Sequence, residues 1–277
     1  MLVFAYDGSL NGDWVAHYAV RFAANTSARE LRLVHLSEDR PASHLQERIA
    51  RITDECRAIG VALQTEHVAG GGADVAARLL GLVPKGATLI AGTRSRPRGS
   101  ALLAGTVPAR LFDAGRFSVI AIRVVHPGVL GQPGRVLLPL TGRPRAAENA
   151  LPLLRLLGPD LHHLHVLRVR DLPRLGFPMR SDERDERLLA EGRRSVAAIE
   201  EALRTSLAPH RFDLDSSVVV SDDTAKEILL QARNHRSRLI CLGASERTLS
   251  QRVIQGSLVE QVLRAAPSDV AVHRSVV

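Results

Sequence analysis

The 277-residue chain is 45% apolar and 24% charged, the balance of a soluble globular protein with room for one large core or two ordinary ones; no apolar run approaches the ~18 residues of a membrane span, and Asp7 ends the run from Met1 too early for a signal-peptide core. Two cysteines, Cys56 and Cys241, cannot make a disulfide framework and suit a reducing compartment, so the expected location is the cytoplasm; an aromatic content of 3% argues against gripping single strands by base stacking. The net charge of +8 invites a nucleic-acid reading, but all but two of the 37 basic residues are arginine, spread along the chain and mixed with acids as in Ser181–Arg187, whereas a nucleic-acid footprint clusters on one face.

A β-rich run opens the chain at Leu2–Tyr6. A helical pattern follows over Asp13–Ala24, then a strand at Leu31–Leu36, a helix over Ser43–Ile59 and a strand at Ala62–Val68. A third helix is predicted over Asp74–Leu82, and two further apolar strands at Thr88–Gly92 and Ser118–Arg123. Prolines and glycines crowd His126–Gly134 and break both helix and strand, which reads as a linker. Beyond it the same order returns: strand Arg135–Leu140, helix Ala146–Leu157, strand Leu161–Leu167, helix Arg184–Ser206, strand Asp215–Val220, helix Thr224–Asn234, strands Arg238–Gly243 and Asp269–Arg274. The chain is thus one unit written twice, with expected domains at 1–126 and 135–277 and a linker at 127–134. Strands alternating with helices predict parallel sheets covered on both faces. The second unit is longer by about twenty residues between its second and fourth strands, assigned to a surface loop in the polar, proline-containing stretch Arg170–Arg187.

In open parallel sheets, ligands bind beyond the carboxyl ends of the strands. In the first unit those ends are Asp7-Gly8-Ser9, Leu36, Gly70-Gly71-Gly72 and Gly92 onward. From Gly92-Thr93-Arg94-Ser95 nine residues lead to Gly105-Thr106-Val107, which opens a helix. A strand, a glycine loop and a helix N-terminus together present backbone N–H groups and the helix dipole to an anion. The second unit repeats the pattern as Gly243-Ala244-Ser245-Glu246, nine residues, then Gly256-Ser257-Leu258.

With these residues the chain resembles the universal stress protein family in its tandem form. The family's signature is Gly, two residues, Gly, nine residues, Gly, then Ser or Thr. It is accompanied by an aspartate ending the first strand, here Asp7, and a His-Val-type pair ending the second, here His35-Leu36 and His165-Val166. The resemblance implies two doubly wound α/β domains of the adenine-nucleotide α-hydrolase-like type. Each has a five-stranded parallel sheet, and the two pair through their fifth strands as a pseudo-dimer within one chain. It also implies an ATP site in which the aspartate holds ribose, backbone at the second and fourth strand ends holds adenine, and the glycine loop and Ser/Thr hold phosphates. Carried over, the cofactor-binding set is Ala5, Asp7, Leu36, Gly92, Gly105, Thr106 and Val107. Ser95 replaces the signature's second glycine, and Arg94, Arg96 and Arg98 stand ready to pair with phosphates. In the second unit the aspartate position reads Thr141, and Glu246 sets a carboxylate where phosphates would lie. One ATP per chain, in the first unit, is therefore expected.

Other patterns read as structure. Gly70–Val75 lacks the third glycine of a dinucleotide fingerprint, and Gly243-Ala244-Ser245 lacks the closing glycine of a nucleophile elbow. His163 and His165 share a strand face at a spacing two metal ligands can use, but no carboxylate or cysteine partner is evident in sequence, so they read as ordinary strand histidines. Asp222-Asp223 reads as a helix N-cap pair, Cys241 as a buried small hydrophobe, and Trp14 with Tyr18 as helix core. The expected function is a stress-response regulator that reports adenine nucleotide to a protein partner. Catalysis at most amounts to slow ATP hydrolysis, no metal is expected, nothing inserts in a membrane, and a homodimer is allowed. A nucleotide-free scaffold acting by protein contact is the alternative, and a basic nucleic-acid binder stands behind it.

Overall fold

The computed structural model describes residues 1–37, 44–69, 74–93, 106–141, 145–171, 182–244 and 257–275. Ten strands form one continuous sheet: β1 (Leu2–Tyr6), β2 (Glu30–Ser37), β3 (Ala62–Ala69), β4 (Thr88–Gly92), β5 (Ser118–Arg123), β6 (Gly134–Thr141), β7 (Leu161–Asp171), β8 (Asp213–Ser221), β9 (Leu239–Gly243) and β10 (Asp269–Arg274). The strand order is β3-β2-β1-β4-β5-β10-β9-β6-β7-β8. Within each half all pairings are parallel, and the halves meet in an antiparallel pairing of β5 with β10, Val272 opposite Ala121. The fold is thus the tandem doubly wound α/β arrangement, with the two halves joined through their fifth strands.

Eight helices among the described residues cover the sheet: α1 (Leu10–Ala24), α2 (Leu45–Ala58), α3 (Val75–Leu82), α4 (Val107–Ala114), α5 (Arg145–Leu157), α6 (Asp182–Leu207), α7 (Thr224–Asn234) and α8 (Leu258–Ala265). Parallel crossovers put helices on both faces, which is why the central strands are apolar on both sides. One core holds α1, α2, α5 and α6 against Phe4, Leu33, Leu138 and Cys241; the other holds α3, α4, α7 and α8 against Leu89, Ala121, Leu137 and Val272. Both cores run across the two halves without interruption. None of the described helices is long and apolar enough to cross a membrane.

The halves are tied by polar contacts as well. Asp160, in a 3₁₀ turn after α5, accepts from Arg21 Nε of α1 at 3.0 Å, and Asn25 Nδ2 donates to the Leu157 carbonyl at 2.7 Å. The Tyr18 hydroxyl donates to Asp269 Oδ2 at 2.7 Å, and Asp269 Oδ1 accepts from the backbone N–H groups of Val125 and His126. The proline-glycine stretch between the halves holds a 3₁₀ turn at Pro127–Val129 and presses on α1. At Gly131, φ is +72° and an added Cβ would lie 2.6 Å from the His17 carbonyl oxygen, so both the backbone conformation and the space demand glycine.

Three readings from sequence change. Helix α1 starts at Leu10 rather than Asp13, because Ser9 caps it by accepting from Gly12 N. The stretch Arg170–Arg187 is not all loop: β7 runs on to Asp171 and α6 begins at Asp182, with 172–181 outside the described residues. The pair His165-Val166 does not end the second strand of its half. Tyr6 lies opposite His35, and Leu140, which occupies Tyr6's place in the second half, lies opposite Arg168. The counterparts of His35-Leu36 are therefore Arg168 and Val169. A register irregularity at Gly134/Arg135 and the greater length of β7 shift the pattern.

Candidate functional site

Strand order reverses between β1 and β4, so their connections leave to opposite sides and a crevice opens at their carboxyl ends. A cleft of about 250 Å³ fills it. Ala5, Asp7, Leu36, Gly92, Thr106 and Val107 all line it. Of the residues singled out from sequence, Arg94, Ser95 and Gly105 lie outside the described residues, as do Arg96, Arg98, Glu246 and Gly256. The remaining walls are mostly apolar, with Val34, Val75, Leu79 and Ala91 among them.

Asp7 is exposed at the end of β1, and its Oδ1 accepts from Ser9 N at 3.0 Å and Ser9 Oγ at 2.6 Å. The same serine thus orients the carboxylate and caps α1. Glycine at position 12 makes room for this: a Cβ there would stand 2.6 Å from Asp7 Oδ1. At position 92 a Cβ would stand 2.9 Å from Asn11 Nδ2, whose amide reaches toward the Thr93 carbonyl at 3.5 Å. Asn11 and Gly12 are site residues that the sequence reading missed, because the helix start was placed beyond them. Gly12, five residues beyond Asp7, was the available signal.

At the far wall, Thr106 caps α4 by accepting from Ala109 N at 3.4 Å. Pro108 sits in the first turn and has no N–H. Of the donors that a helix start offers an anion, Ala109 is thus engaged and Pro108 is missing, which leaves the Val107 N–H from this turn. Arg110 is bound to Asp74, the cap of α3, and this hydrogen bond holds the Asp74 carboxyl below the usual carboxylate range. Behind the crevice, the Tyr6 hydroxyl donates to Asp13, whose other oxygen takes Arg48. Burial, followed by the Asp13 hydrogen bond, pushes the Tyr6 phenol far up, so it stays a neutral donor.

The second half departs from this plan at a residue that the sequence reading passed over. Ser257 caps α8 as Thr106 caps α4, but it accepts from Glu260 N at 3.3 Å. Glu260 stands where Ala109 stands in the first half, and it is buried. Its carboxylate pairs with Arg264 one turn further along α8 at 3.7 Å, and an acid in a first helical turn complements the helix dipole. Asp223 caps α7, as read from sequence.

The chain is thus of the tandem doubly wound α/β class, with a crevice at the strand ends of its first half. The sequence model of the universal stress protein family matches residues 134–274, just over half of the chain, and the chain belongs to that family, whose role lies in the stress response. No curated protein matches it. Among solved structures, a universal stress protein from Archaeoglobus fulgidus DSM 4304 is 16% identical, with 98% of this chain and 97% of that one covered at a TM-score of 0.63. A functionally unknown protein from Pseudomonas aeruginosa PAO1 is also 16% identical, with coverage of 98% and 91% and a TM-score of 0.62. The cytoplasmic domain of a prokaryotic cation chloride cotransporter is 10% identical, with coverage of 99% and 95% and a TM-score of 0.58. At these identities the likeness is one of fold.

Proposed function

We propose that the chain is a stress-response regulator that binds one ATP per chain in the first-half crevice and presents the bound state to a protein partner in the cytoplasm. The observation that carries this reading is the convergence of Asp7, Leu36, Gly92 and the capped start of α4 on one cleft with apolar walls. Asp7, held on Oδ1 by Ser9, sets its exposed carboxylate at the cleft for the ribose hydroxyls. Leu36, Val34 and Ala91 offer an apolar seat for adenine and the Val107 N–H serves phosphate, while the sequence supplies Arg94, Arg96 and Arg98 as cations for it. Asp7 is the one carboxylate among the described lining residues, and the ribose role occupies it, so hydrolysis is slow or absent. The second half is a structural partner: its aspartate position reads Thr141, and Glu246 replaces the second glycine of its signature.

The nucleotide-free scaffold is favoured by one observation, the loss of a first-turn donor at Pro108. Titration calorimetry with ATP separates the two readings. One site per chain is expected, weakened about tenfold or more in Asp7→Ala, because hydrogen bonds to charged groups are worth roughly 1.5–3 kcal/mol. No heat with ATP supports the scaffold, and equal affinities for wild type and Asp7→Ala overturn the ribose assignment.

A further inference from the structure

Far from the crevice, on the face covered by α7, four side chains of the second half converge. His163 and His165 point from the amino-terminal part of β7, Asp215 from the neighbouring β8, and His235 from the residue that closes α7. His165 is 1% exposed, and its Nδ1 lies 2.6 Å from Asp215 Oδ1. His163 Nε2 lies 3.6 Å from the same oxygen. The His235 ring stacks on that of His165 at 3.5 Å between centroids. The ligand atoms of His165, Asp215 and His235 all lie within 4.8 Å of one another.

We propose that His165, Asp215 and His235, with His163 on the open side, bind one divalent transition-metal ion of the zinc class. Two or three imidazoles with one carboxylate is a donor set that zinc takes readily, with N and O ligands at about 2.0–2.1 Å in a tetrahedron. Hard cations such as Mg²⁺ prefer oxygen donors alone. The ion takes the place of the proton that His165 Nδ1 and Asp215 Oδ1 now share. The other ring nitrogen, Nε2, lies 2.8 Å from Ser217 Oγ, and in the metal-bound form it carries the proton and donates to that hydroxyl. A ligating histidine whose second nitrogen is held this way has its ring fixed toward the metal. His235 is half-buried and ends a helix, so its ring is free to turn out of the stack and bring a nitrogen to the ion. Asp215 is exposed and His163 partly so, which gives the ion a path in from solvent. The site shares no residue with the crevice, so its fate is independent of the nucleotide reading.

The test uses the untagged full chain, stripped with chelator and titrated with ZnCl₂ by calorimetry, with MgCl₂ as the comparison. One Zn²⁺ per chain and no saturable Mg²⁺ binding are expected. Asp215→Asn and His235→Gln, both at solvent-accessible positions, each lower Zn²⁺ affinity at least tenfold while the metal-free unfolding midpoint stays in place. CoCl₂ added to wild type gives the intense visible absorption of a tetrahedral ion, a readout that does not depend on any variant folding. No saturable Zn²⁺ binding, equal affinity in wild type and both variants, or a weak octahedral Co²⁺ spectrum each overturns the proposal.

Discussion

Removing one oxygen from Tyr18 tests how the two halves are held. The ring is 1% exposed and packs on Phe22 with centroids 5.9 Å apart, so Tyr18→Phe keeps the packing and deletes the hydroxyl alone. That hydroxyl meets Asp269 Oδ2 at 2.7 Å, and Asp269 is fully buried at the joint. Burial and then the Asp269 charge push the Tyr18 phenol far up, so the donor is never lost to ionisation. A hydrogen bond to a charged acceptor contributes roughly 1.5–3 kcal/mol, and a buried carboxylate oxygen left without its donor puts the loss inside that range. The expected cost is about 2 kcal/mol. At roughly 2–4 °C per kcal/mol for chains approaching this size, the melting temperature falls by about 4–8 °C. Urea denaturation with an unchanged m-value gives the free energy, and scanning calorimetry gives the shift. In an Asp269→Asn background the same substitution costs about half as much, since the acceptor is then neutral. A Tyr18→Phe chain that unfolds within about 0.5 kcal/mol of wild type refutes the reasoning, because that is the effect of an ordinary surface change.

Gly12→Ala places a Cβ 2.6 Å from Asp7 Oδ1 and 3.0 Å from the Tyr6 ring. It is expected to displace the carboxylate and lower ATP affinity by about as much as Asp7→Ala, about tenfold or more, in the same calorimetric assay. His17 has its pKa raised above 6.5, chiefly by its hydrogen bond to Glu55. Its contribution to stability is full below the unfolded value and lost as pH rises through the folded value. Glu55→Gln therefore lowers the His17 pKa in an NMR titration and flattens this part of the stability profile. His165 runs the other way. Burial lowers its pKa despite Asp215, so its neutral form is favoured by folding and stability falls as pH drops below about 6.5. In metal-free protein, Asp215→Asn should depress the His165 pKa further.

Short apolar runs were legible to the residue: β1, β4, β5 and β10 fall where the pattern put them, because burial on both faces writes a continuous signal. β7 was not, because Arg168, Arg170 and Asp171 continue the strand past its apolar part, and a buried arginine is invisible to hydropathy. The crevice was legible where it is made of strand ends, at Asp7, Leu36 and Gly92. It was not legible at Asn11, where only the depth of α1 against β4 brings the side chain in. His165 and Asp215 are 50 residues apart in sequence, and the parallel registration of β7 with β8 makes them neighbours. No local spacing carries that information. Glu260 was passed over in the sequence, where nothing distinguishes it from an exposed first-turn acid; its burial appears only in the fold.

The antiparallel joint of β5 and β10 reverses the second half relative to the first, so the carboxyl ends of the two sets of strands open at opposite edges of the sheet. Were the halves separate molecules, dilution would part them, and one sequence would have to serve both edges. Joined through residues 124–133 between β5 and β6, they meet at an effective concentration that dilution does not reach. A substitution now alters one edge and leaves its counterpart untouched. The two edges differ accordingly: an alanine stands at position 109 in the first turn of α4, and a buried glutamate, Glu260, stands at the matching place in α8.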